Sequence, residues 1–163
     1  MFTAVLKRAC SVVIVLLLFM CSGCYTTDQE IFSASEAVAI PGLPGDYSTD
    51  NRTCIIYATS DSKAYRFRDG NGEGFFRCIP FYNDIYIVQA KYDDESSYRL
   101  LFERITKDGS GYHLEELPCY PSESGSLAEK HHVSIVDVVN GTLSGPRANI
   151  RNFLYAHKNL GWE

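Results

Sequence analysis

The chain of 163 residues carries six cysteines and four histidines, the side chains with the widest chemical range. Cys54, Cys78 and Cys119 lie in the body of the sequence. In an oxidising compartment an odd set of thiols predicts one disulfide and one remainder. The pair is Cys54–Cys119 or Cys54–Cys78, because sequence does not fix the geometry that a disulfide demands. A nucleophilic cysteine needs a neighbouring base and a lowered pKa, and no local sequence supplies either. His113 and Glu115 are two residues apart, so on a strand they share a face. Two ligands are too few for zinc without a third from elsewhere. His131 and His132 are adjacent and on a strand point to opposite faces. Neither His-Glu-x-x-His nor paired Cys-x-x-Cys occurs. Gly109-Ser110-Gly111 and Gly125-Ser126 read as flexible turns rather than a nucleophile elbow. Gly70, Gly72 and Gly74 separate two strand patterns and open no helix that could hold a phosphate. Adjacent acids, Asp93-Asp94 and Glu115-Glu116, read as solvated charge. No catalytic, cofactor-binding or metal residue is assigned. An enzymatic reading is left with a site assembled from distant residues, for which His113, Glu115 and Asp137 are the candidates.

The elements that would position these residues are mostly strands. Over residues 64–68 the chain alternates, with Tyr65 and Phe67 on one face and Arg66 and Arg68 on the other. Similar patterns cover residues 52–59, 74–81, 85–92, 98–107, 112–117 and 132–139. In the longest of them, Tyr98, Leu100 and Phe102 share a face. Asp69-Gly70-Asn71-Gly72, Tyr82-Asn83-Asp84, Asp108-Gly109-Ser110-Gly111 and Asn140-Gly141 supply turns between them. Residues 118–130 read as a loop. Ser144 is positioned to cap a final helix with Pro146 early in it, Ile150, Phe153, Leu154 and His157 at helical spacing, and Gly161 past its end. The fold class predicted is mostly β with one C-terminal helix (α+β). It is an antiparallel meander, a small sandwich or an open barrel of about six or seven strands. Aromatics beside arginines, Tyr65-Arg66, Phe76-Arg77 and Tyr98-Arg99, fit either a packed sheet or an exposed binding face.

The first residues carry a different message. Lys7 and Arg8 precede an apolar run, purest over residues 12–20, and small residues follow. That order is a secretory signal peptide, and the run is shorter than the roughly 20 residues of a comfortable span. Cys21-Ser22-Gly23-Cys24 resembles the lipobox of bacterial lipoproteins, with Cys21 standing where that family usually has an aliphatic residue. The resemblance covers about 24 residues. It implies cleavage after residue 23 and a diacylglycerol thioether on Cys24, which becomes the acylated, membrane-bound N-terminus. Tyr25 in place of an inner-membrane-retaining Asp implies the outer membrane, facing the periplasm. Ordinary cleavage near Gly23, leaving a soluble periplasmic protein, is the alternative.

Residues 1–23 are thus expected to be the signal peptide, 24–42 an acidic tether, and 43–163 a single β-rich domain. The tether carries Asp28, Glu30 and Glu36 and no basic residue, and Pro41-Gly42-Leu43-Pro44-Gly45 ends it. Removal of 23 of the 163 residues takes away Lys7 and Arg8 but no acid, so the formal charge moves from −5 to −7. Such a chain has no field for nucleic acid. The expected role is a non-enzymatic binding or scaffolding module without a cofactor. Its partners would be the membrane, through the acyl chains on Cys24, and an envelope protein or polymer. The rivals are the distant-residue enzyme and a carrier holding a small apolar ligand inside a barrel.

Overall fold

The computed structural model describes residues 25–49, 52–109 and 111–160. The expected signal peptide and lipidation site at Cys24, and the expected C-cap at Gly161, lie outside them. Among the described residues ten strands form one sheet: β1 (Tyr25–Thr27), β2 (Gly45–Thr49), β3 (Arg52–Ala58), β4 (Tyr65–Asp69), β5 (Gly72–Tyr82), β6 (Ile85–Tyr92), β7 (Tyr98–Asp108), β8 (Gly111–Leu117), β9 (Ser134–Asp137) and β10 (Thr142–Ser144). Two α-helices, α1 (Gly125–Lys130) and α2 (Arg147–Ala156), complete the fold with short 3-10 turns at Ala34–Glu36 and His157–Leu160. The mostly β fold with a C-terminal helix agrees with the sequence pattern.

From β2 to β8 each strand pairs antiparallel with the next, a meander. The turns fall where Gly, Asn and Asp permit them. Asp69 Oδ1 accepts the amides of Asn71 and Gly72, and Asn83 takes a positive φ of 50°. The meander curls: β3 and β8 are far apart in strand order, yet Cys54 and Leu114 line one cavity. The sheet does not close, since β2 and β8 are not ladder partners among the described residues. Tyr112 Oη instead donates to the Pro41 carbonyl at 3.0 Å, spanning the gap.

β7 is the hinge of the architecture. One edge pairs with β6. The other is shared, with β1 on Tyr98–Leu100 and β8 on Phe102–Asp108. Beyond β1 the sheet continues through β10 to β9. Side chains alternate, so β5, β6 and β7 present two apolar faces. The outer one, with Ile79, Ile87, Leu100 and Phe102, packs under Ile150, Phe153 and Leu154 of α2. The inner one, with Phe76, Cys78, Val88 and Ile105, faces the hollow of the curl.

Three expectations need correction. Residues 25–42 are not a solvated tether: Tyr25, Ile31, Phe32, Ala37 and Ile40 are buried. Gln89, itself fully buried, accepts the amides of Ile31 and Phe32 at 2.8 Å each and donates to the Phe32 carbonyl at 3.0 Å. Farther on, Val38 bridges to Cys78, and the Tyr65 hydroxyl accepts the Ile40 amide at 2.6 Å. The segment is polar in composition, but its few apolar residues carry it across both faces of the sheet. Second, residues 118–130 are not all loop, because α1 forms within them. Third, Ser144 ends β10 opposite Ser134 and does not cap α2; Pro146 holds that place, and its carbonyl accepts the amides of Asn149 and Ile150.

Candidate functional site

The inner face of the curl encloses a half-open cavity of about 350 Å³. Its apolar wall comes from Ile56 on β3, Phe67 on β4, Phe76 on β5, Val88 and Ala90 on β6, and Leu101 and Leu114 on β7 and β8. Gly74 contributes by what it lacks. A Cβ there would meet the Phe67 ring at 2.7 Å, so glycine lets that ring lie over β5.

Acidic groups converge on the cavity. Glu103 on β7 and Glu116 on β8 are direct cross-strand partners, and both line it. Directly opposite residues bring their Cβ atoms within about 5 Å. Glu103 is half-buried at the cavity wall, while Glu116 is exposed at its rim. Burial, and secondarily the charge of Glu116, raise the Glu103 pKa from 4.5 to about 7. Glu103 is therefore about half protonated near neutrality. At another part of the wall, Tyr92 Oη donates to Asp69 Oδ2 at 2.7 Å. Arg99 brings the positive charge of this lining. It pairs with Glu95 at 2.6 Å and lies over the Tyr92 ring at 4.6 Å.

No disulfide joins Cys54, Cys78 and Cys119 to one another, so the expected pair does not form among the described residues. Cys54 lines the cavity, Cys78 belongs to the same apolar cluster, and Cys119 packs in the other cluster under α2. The sheet thus parts Cys54 from Cys119. β4 intervenes between the strands of Cys54 and Cys78, and two strand spacings of about 4.8 Å exceed the usual reach of a disulfide. Burial pushes both the Cys54 and Cys78 thiols up, which keeps them protonated and poorly nucleophilic.

The distant-residue candidates are not assembled. His113 and Glu115 stand exposed on the outer face of β8, with Glu115 3.2 Å from Arg104. Asp137 sits on β9, where it accepts the Val139 and Asn140 amides. Among the described residues no hydrogen bond or ion pair joins Asp137 to the other two. A buried polar cluster stands elsewhere: the Tyr25 hydroxyl donates to Ser124 Oγ at 2.7 Å and meets His157 Nε2 at 2.9 Å. His157 Nδ1 lies 2.9 Å from the Phe153 carbonyl, and burial lowers the pKa of this ring. All three side chains are sealed from solvent, so the cluster holds β1 to α2 and offers no substrate access.

Of the aromatic–arginine pairs, Tyr65 and Phe76 stack inside at 5.1 Å while Arg66 and Arg77 point outward to Asp93 and Glu30. Sequence reasoning missed Glu103. The available signal was Glu116, whose partner is across the ladder and not its neighbour Glu115. Among the described residues no group of His, Cys, Asp or Glu is gathered as metal ligands, and no helix is long and apolar enough to cross a membrane. No family model, curated protein or solved structure matches this chain.

Proposed function

We propose that the chain is a bacterial envelope lipoprotein, anchored through acylated Cys24, whose domain binds a small ligand inside the curled sheet. The observation that carries the binding reading is the cavity, with aliphatic and aromatic walls and a facing carboxyl pair. The walls suit an apolar body. Asp69, Glu103 and Glu116 against Arg99 make the lining net acidic, so the favoured ligand also carries a cationic group, such as an alkylammonium. Binding a cation displaces the proton held by the carboxyl pair, so affinity rises with pH.

The anchor is tested by intact mass of the membrane-extracted protein, which should begin at Cys24 and carry acyl mass. The ligand class is tested with two fluorescent probes of equal chain length, one ending in an ammonium and one in a carboxylate. The ammonium probe should bind more tightly, and more so at pH 8 than at pH 6. Equal binding, or preference for the carboxylate, overturns the assignment. Leu101→Trp, which fills the cavity, should abolish binding of either probe.

A further inference from the structure

We propose that the β9–β10 tip is the surface by which the domain rests directly on the lipid bilayer, with its exposed valines seated among the acyl chains. This rests on the reading of Cys24 as the acylated residue. Val136, Val138 and Val139 are 64%, 52% and 87% exposed, an apolar group on a turn and an edge strand. Such a group on a free surface calls for a covering partner.

Two features point to lipid. The first is where the chain enters. β1 and β10 run parallel with Thr26 opposite Thr142, and the Thr26 amide donates to the Gly141 carbonyl at 3.1 Å. Residues preceding Tyr25 and residues preceding Thr142 therefore reach the sheet from the same end. Tyr25, the residue that follows Cys24 in sequence, is buried and tied to Ser124 and His157. Consecutive Cα atoms stand about 3.8 Å apart, so an acylated Cys24 brings the bilayer to the tip.

The second is how the tip is built. Asp137 Oδ1 accepts the amides of Val139 and Asn140, and Oδ2 accepts from Asn140 Nδ2 at 2.6 Å. Three donors of the turn are thus satisfied by Asp137, and Thr26 on β1 donates to the Asn140 and Gly141 carbonyls, while the valine side chains are exposed. That is the arrangement a low-dielectric surface requires of backbone entering it. Contact of this kind rests on apolar area and not on charge, so it withstands salt.

The test uses the full chain as extracted from bacterial membranes, reconstituted into phosphatidylethanolamine vesicles containing acyl chains brominated along their length. Val139→Trp is made in a Trp162→Phe background, and Tyr57→Trp on β3, far along the sheet, serves as reference. Both sites are exposed, and unchanged melting temperatures establish that the fold is retained. The V139W emission should shift to the blue and lose most of its intensity to bromine at low and high salt, while Y57W stays unquenched. If the protein floats with the vesicles and V139W emits as in water, the anchor stands and the apposition is overturned. If the protein does not float, the anchor reading fails and the apposition fails with it.

Discussion

Glu103 and Glu116 face each other across the β7–β8 ladder, and both carboxyls line the same cavity. The folded chain holds at Glu103 a proton that an unfolded chain releases, because the pKa is raised from 4.5 to about 7. Folding takes up this proton between those values, so its contribution makes stability fall as pH rises from about 4.5 through about 7. Glu103→Gln removes the ionisation. Its urea midpoint should lose this part of the pH dependence, and it should exceed wild type at pH 8. A wild-type midpoint that rises steadily from pH 5 to pH 8 in step with the variant's would show that Glu103 is not desolvated.

Gln89 is the next lever. Its side chain satisfies two amides and one carbonyl of the Ile31–Phe32 segment inside the core. Gln89→Leu leaves those groups buried without it. Each orphaned group costs on the order of 1–3 kcal/mol, so the variant should lose about 3 kcal/mol or more in denaturant unfolding. Amide exchange at Ile31 and Phe32 should accelerate more than exchange on β6. Uniform acceleration over the whole sheet would argue against this local fastening.

Gly74 sets a steric limit. A methyl group there enters the space of the Phe67 ring. Gly74→Ala should destabilise by about 1–3 kcal/mol, the usual range for overpacking. Gly70, whose added Cβ would meet nothing within 4 Å, should tolerate alanine with little change. Thermal melts of the two variants decide the matter.

The thiols allow a count. No disulfide joins Cys54, Cys78 and Cys119 to one another, so reduction should leave the mass of the membrane-extracted protein unchanged. In denaturant three thiols should react if the Cys24 sulfur carries lipid, and four if it does not. Under native conditions Cys54 should react first, because Cys78 and Cys119 are buried and Cys54 is only partly so.

Much of the meander was legible because its strands alternate. Tyr65 and Phe67 turn inward and Arg66 and Arg68 outward, as their spacing requires. Gly72 and Asn83 mark real turns with positive φ. The site was not legible, for a physical reason. In β7 the apolar face of Tyr98, Leu100 and Phe102 implied that the opposite face, with Leu101 and Glu103, was wet. The curl makes that face an interior as well, and curvature leaves no periodic signal. β1 was hidden for another reason. Three residues, Tyr25–Thr27, show no period of their own, and partners on β7 and β10 define the strand.

The pairing of Thr26 with Thr142 joins residues 116 positions apart. The first of the described strands has a ladder on β7, but its other edge waits for nearly the last strand. Contacts of such wide separation come at a loop-closure cost and slow a chain's search for its native state. Until β10 is in place, Ile31 and Phe32 have only Gln89 and the half-built outer face to hold them. A nascent chain truncated before residue 142 would leave β1 fastened on its β7 edge alone, without the contacts that β10 and α2 supply.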